Sequence, residues 1–309
     1  MQQEPPERKK AMLGDRSFVY DILGAAIILL ILIGSLYAYT GNWPPLVVVQ
    51  SGSMMHSDDR SHIGVIDTGD LVFVKTLRDG EGVTTYVDGT KDSYRTYGSF
   101  GDVIIFKPNG MEDRTAIIHR AVVYLVFNSS GYDPATKSGG SFDVPSMGLH
   151  GMTEEFVVKD YEWPEGLRDV VVNVRFILNN FRNHDIAPHG GYITKGDDNT
   201  AIDQSVIFGD DTYLLPVMKE WIIGKSRGEL PWFGIIKLKI EGKADPPKNS
   251  EKSLVFAIIG LVLTPFLLDL GIHLIMRKKE ENGPVEQSEP PVRRSQRRPP
   301  RAAAPPKRT

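Results

Sequence analysis

Two long, predominantly apolar runs, residues 18–38 with Asp21 and residues 254–276 with Asp269 and His273, stand near the two ends of this 309-residue chain, and they limit its fold more than any other feature. About 20 apolar residues rising 1.5 Å each cross a hydrocarbon layer about 30 Å thick. Both runs therefore predict membrane helices. The first, centred on Ala25-Ala26-Ile27-Ile28-Leu29-Leu30-Ile31-Leu32-Ile33, is longer than the roughly 7–15 apolar residues of a cleavable leader and reads as a retained anchor. The division expected from this is an N-terminal arm at 1–16, a membrane helix at 17–39, a folded domain at 40–245, a second membrane helix at 253–276, and a disordered basic tail at 277–309.

Charge is distributed to match. The net charge is −3, yet residues 277–309 carry about +6 and residues 1–16 about +1, which leaves the middle at about −10. Basic residues flank the outer ends of both runs, Lys9 and Lys10 at one and Arg277, Lys278 and Lys279 at the other. Positive flanks stay in the cytoplasm. The expectation is a multi-pass cell-membrane protein with two spans, both termini cytoplasmic and the middle domain outside. A basic tail that begins at a membrane span is read as a topology signal or a contact with anionic lipid, so no nucleic-acid partner is expected. The chain has no cysteine, which excludes disulfides, thiolate metal sites and a thiol nucleophile.

The middle domain reads as mainly β. Residues 70–75, 102–108, 117–127, 170–178 and 191–194 are short apolar or alternating runs separated by Gly, Pro, Asp and Asn, the pattern of strands and turns. No stretch there shows a long helical period. Residues 128–151 are rich in Ser, Gly and Asp and are expected to be a loop-bearing insertion, with the insertion as a whole covering about 128–189 of the β-rich domain. Asn128-Ser129-Ser130 fits a glycosylation sequon. Leu230-Pro231-Trp232-Phe233-Gly234 reads either as an aromatic wedge at the membrane surface or as the end of a core strand.

Three segments bear on chemistry. Val47-Val48-Val49 ends in Gln50-Ser51-Gly52-Ser53; glycine permits a bend that exposes the second serine, which makes Ser53 a candidate nucleophile. A base must be held rigidly. Among the histidines, His119 lies inside the strand signal Ile117-Ile118-His119-Arg120-Ala121-Val122-Val123, whereas His56 and His62 fall in a polar segment expected to be mobile. The third segment is Lys195-Gly196-Asp197-Asp198-Asn199-Thr200-Ala201-Ile202-Asp203. A serine and histidine mechanism needs a carboxylate to fix the imidazole tautomer, and both Asp197 and Asp203 are placed to supply it. The same acids lack the ligand order and terminal Glu of a calcium loop, so neither metal nor cofactor is expected. Lys75, Lys107 and Lys195 are alternative bases for a serine/lysine dyad. The other class of reading is a membrane-tethered binding or assembly module in which Ser53 and His119 only pack.

The ordered series Ser51-Gly52-Ser53-Met54, Thr68-Gly69-Asp70, Gly101-Asp102-Val103-Ile104, Ile118-His119-Arg120 and Lys195-Gly196-Asp197-Asp198-Asn199 up to Asp203 resembles the motifs of type I signal peptidases. Histidine in place of a lysine base is similar to the archaeal and endoplasmic-reticulum branch. The resemblance covers most of residues 46–243 and implies a signal-peptidase-like β fold and a serine endopeptidase acting on signal-peptide-bearing precursors at the bilayer. It implies catalytic roles for Ser53, His119 and Asp203, with Asp197 supporting them; the Ser51 hydroxyl is a candidate oxyanion donor by its position. This chain departs from the family in having Met55-His56 after Ser-Met, Asp198 where Asn is usual, and a long connection between His119 and Asp197.

Overall fold

The computed structural model describes residues 7–208, 212–243 and 245–281. The chain begins with helix α1 (Glu7–Thr40), which starts well before the expected boundary at residue 17. Residues 7–16 were expected to lack stable structure. Extending an existing helix adds one hydrogen bond per residue with no new nucleus, and Arg8, Lys9, Lys10, Ala11, Met12 and Leu13 all favour helix. The helix stops at Gly41, whose left-handed backbone (φ 67°) lets its N–H donate to the Tyr37 carbonyl at 2.8 Å. Residues 27–32 are each more than half exposed. A helix that is apolar all round and unburied by protein is suited to lipid.

The domain that follows is antiparallel β. Its elements are β1 (Leu46–Val48), β2 (Leu71–Lys75), α2 (Tyr86–Asp92), β3 (Arg95–Thr96), β4 (Ser99–Phe100), β5 (Val103–Phe106), β6 (Ile117–Asn128), β7 (Ser141–Val144) and β8 (Leu149–Met152). Then come β9 (Glu155–Trp163), β10 (Gly166–Asn173), α3 (Val174–Asn183), β11 (Gly191–Lys195), β12 (Ile207–Phe208), β13 (Thr212–Tyr213), β14 (Ile222–Leu230) and α4 (Ile235–Glu241). The main sheet runs β1-β2-β14-β5-β6-β7-β8, with β11 also pairing along β6. β5 is buried at every position, as a central strand covered on both faces should be.

The register on β6 sets the site. His119 pairs with Ile104 and Arg120 with Val103 on one side. On the other side Lys195 pairs with Arg120 and Thr194 with Ala121, after a bulge between Ile193 and Thr194. Successive side chains on a strand point to opposite faces. His119 and Arg120 thus look away from each other across the sheet.

The region 128–189, expected as an insertion with loop at 128–151, is folded into the domain. It contains β7 to β10 and α3, and its Phe142, Phe156, Tyr161, Val172 and Phe181 are buried in one core cluster with Val122, Leu125 and Ile193. The Gly residues that suggested a loop sit in tight turns instead, Gly131, Gly139 and Gly140 all at positive φ. A second correction concerns residues 170–178, expected as a strand. Only the part to Asn173 is extended; there the Asn173 side chain accepts the Phe176 N–H at 2.8 Å and starts α3. Val174, Ile177 and Phe181 then bury one helix face.

The Trp232 turn is tied inward, its backbone N–H donating to Asp70 Oδ1 and its indole N–H to Ser61 Oγ, each at 2.8 Å. The second long helix, α5 (Ser250–Glu281), starts near the expected point and extends past residue 276. It too is long and apolar enough to cross a membrane, over Ser250–Lys278, as α1 is over Ile22–Thr40. Most of the region expected to be a disordered tail lies outside the described residues.

Candidate active site

Ser53 stands on a single helical turn, Gly52–Met54, just beyond β1. Beside it Met54 is 1% exposed and packs with Val49, Ile66, Val72 and Val103, so the turn is pinned to the core by its next residue. His119 comes from β6 and Asp203 from the turn after Ile202, which is itself fully buried. The three side chains meet. Ser53 Oγ lies 2.9 Å from His119 Nε2, and His119 Nδ1 lies 2.6 Å from Asp203 Oδ2.

Asp203 Oδ2 also accepts the Thr194 hydroxyl at 2.7 Å, and the Thr194 N–H donates to Gln204 Oε1 at 3.1 Å. These bonds tie Asp203 to β11. With Asp203 accepting, Nδ1 carries the imidazole hydrogen and the Nε2 lone pair faces the serine hydroxyl. A neutral imidazole so oriented accepts a proton from Ser53 when its oxygen attacks an electrophile. Ser51 Oγ is 3.2 Å from Ser53 Oγ on the exposed side of the turn.

Asp197 does not join this chain. It lies on the other side of β6, where Arg120 Nε donates to Oδ1 at 2.8 Å and Arg120 Nη2 to Oδ2 at 2.6 Å. Burial would raise its pKa, but the Arg120 charge and the hydrogen bonds from Arg120 and His56 outweigh that and hold the carboxyl well below the usual range. Arg120 is fully buried and also donates to the carbonyls of Thr96, Phe100 and Gly101 at 3.0–3.2 Å. His56, expected in a mobile segment, has its Nε2 3.1 Å from Asp197 Oδ2. Neither Arg120 nor His56 was legible as a partner of Asp197. Arg120 could have been suspected, since a charge inside a run as apolar as β6 needs a buried counter-charge.

The candidate lysines have other partners. Lys195 Nζ donates to the carbonyls of Gly196 and Asp197 at 2.8 and 3.1 Å and lies 3.8 Å from the Trp163 ring centre. Burial pushes its pKa down to about 8. Lys107 pairs with Glu112, and Lys75 lies over the Tyr39 ring. Of the other histidines, His150 pairs loosely with Asp143, and His189 packs against Phe181 and Trp221.

A groove of about 330 Å³ opens beside Ser53, walled by residues 48–51 on one side and 115–118 on the other. One wall continues from the end of β1 at Val48, and the other leads into β6 at Ile117. β1 is the edge of the sheet, and β11 pairs with β6 only from Arg120 onward. The groove thus runs between two unpaired edges, as a docking strand would need. Among the described residues no cluster of His, Asp and Glu could hold a metal ion.

The chain matches no model of a known protein family, and no curated protein is similar to it in sequence.

Proposed function

We propose that this protein is a membrane-anchored serine endopeptidase that removes signal peptides from exported precursors. The observation that carries the reading is the unbroken hydrogen-bonded chain Ser53–His119–Asp203, drawn from residues 66 and 84 positions apart and opening onto the groove between residues 48–51 and 115–118. Ser53 follows the end of α1 by 13 residues, roughly 45 Å even if fully extended, so the nucleophile stays close to the anchor. A substrate held in the same bilayer needs no search through solution.

In this reaction Ser53 Oγ attacks the carbonyl carbon of one peptide bond while His119 Nε2 takes its proton. Asp203 stabilises the imidazolium, and His119 then passes the proton to the leaving amine. Water releases the acyl group by the same steps in reverse. The Ser53 backbone N–H and the Ser51 hydroxyl supply donors for the charge on the carbonyl oxygen. The precursor adds an extended segment between the edges at residues 47–50 and 115–118, and the resemblance implies small side chains before the cleaved bond. The basic flanks orient the protein with both termini in the cytoplasm and the β domain outside.

The test is cleavage of a purified precursor, with small residues before its processing point, by the full chain in detergent micelles. One new N-terminus at that point is expected. An intact precursor after prolonged incubation with folded protein would sink the reading and favour a non-catalytic binding module.

A further inference from the structure

His56 lies only three residues after Ser53, yet it is bound to the loop that follows β11. Its Nε2 is 3.1 Å from Asp197 Oδ2, and the next residue of that loop, Asp198, donates its backbone N–H to the Ser53 carbonyl at 2.9 Å. A closed ring results: Ser53 to His56 along the chain, His56 to Asp197 through side chains, Asp197 to Asp198 along the chain, and Asp198 back to Ser53. Asp197 is the fixed point of this ring, because Arg120 grips both of its oxygens from within the protein. The carboxylate is ionised against a guanidinium, so His56 must donate from Nε2.

Two close approaches tighten the arrangement. A side chain at Gly196 would sit 2.5 Å from the Ser53 carbonyl oxygen, which shows how directly the loop backs onto the serine turn. Gly98, at φ +80° between β3 and β4, would place a Cβ 3.1 Å from His56 Cε1, so the imidazole is held between that turn and Asp197. Fixing the Ser53 carbonyl fixes its backbone, and with it the Cα–Cβ direction from which Oγ reaches His119 Nε2.

We infer that His56 is a positioning residue, a latch that clamps the serine turn to the Arg120-anchored Asp197 loop and so aims Ser53 Oγ at His119 Nε2. It touches neither substrate nor the reacting atoms. Its effect on turnover rests on the peptidase reading above; its effect on the aim of residue 53 does not.

The absence of cysteine makes the second effect measurable without substrate. Ser53→Cys introduces the sole thiol of the chain beside His119, where pairing with an imidazole raises the thiolate fraction and the rate of alkylation by iodoacetamide at pH 7. In that background the full chain is compared with His56→Gln and His56→Asn. The Gln amide nitrogen reaches the position of Nε2, whereas the Asn amide stops about one bond short. Both are polar and of moderate size, and thermal unfolding of each variant checks that it is folded. Alkylation within about threefold of the parent is expected for His56→Gln, and a fall of roughly tenfold for His56→Asn. In the Ser53 enzyme the same pair should separate in kcat, with KM held within about twofold. Equal alkylation rates for the two variants, whether both fast or both slow, would overturn the latch. Absence of precursor cleavage by the unaltered chain would count against the peptidase and leave the alkylation comparison standing.

Discussion

Asp203 and Asp197 are six residues apart, equally buried at 2% exposure, and lie on opposite sides of the same strand. One faces an imidazole and a hydroxyl, the other a guanidinium. A carboxylate beside an imidazole can steady a charge that comes and goes, whereas one forked by arginine is committed to a permanent ion pair. The difference teaches that the neighbour decides the role of a buried acid. Strand alternation at His119 and Arg120 is what delivers two different neighbours from adjacent positions.

Removing the charge of each acid should break this symmetry in opposite ways. Asp203→Asn leaves the shape intact but favours the wrong imidazole tautomer. Its kcat for precursor cleavage should drop by roughly 10³–10⁴-fold with a nearly unchanged melting temperature. Asp197→Ala strands a fully buried Arg120 and should cost about 3–5 kcal/mol of stability, read from denaturant midpoints. If Asp197→Ala were stable and inactive while Asp203→Asn merely unfolded, the two roles would have to be exchanged.

How far these roles can be read from the residues alone follows the same division. Ser53 and His119 stand out as candidates because the serine follows a β-branched run and the histidine lies in a strong strand, whereas the pattern offers Asp197 and Asp203 equally and only the resemblance favours Asp203. Their meeting depends on β6 lying beside both β5 and β11, which no local pattern encodes. His56 was misjudged because a polar segment reads as mobile until its partner, 141 residues away, is known. Residues 128–151 read as loop for a related reason. Gly and Ser are the commonest residues in that stretch, while the aromatics that bury the wider region, Phe142, Phe156, Tyr161 and Phe181, are spread along it and pack with residues of β6 and β11. The two long apolar helices needed no tertiary information, since length and hydropathy suffice.

A third buried acid sharpens the comparison by lacking a cation. Asp70 accepts the backbone N–H groups of Trp232 and Asp67, but burial pushes its pKa up to about 6. Burial also pushes Glu229 up to about 7 and raises Asp67. Between about pH 4 and 7 the folded chain keeps protons that the unfolded chain has released, so this group of acids lowers stability as pH rises through that window. Asp70→Asn should flatten the decline, by about 1.4 kcal/mol between pH 5 and pH 8. Thermal unfolding at the two pH values measures it, and an unchanged slope would contradict the assignment. The smallest effect is expected at the exposed end of the site. Ser51→Ala removes one oxyanion donor and should lower kcat by roughly tenfold without changing KM; an unchanged kcat would remove the Ser51 hydroxyl from that role.

The account stands on Ser53 as the nucleophile. Its most direct test is the cleavage rate of a purified precursor by Ser53→Ala, measured beside the unaltered chain in the same micelles at pH 7. A fall to the uncatalysed background, with folding and micelle insertion intact, is the result predicted; cleavage at the original rate and position would contradict it.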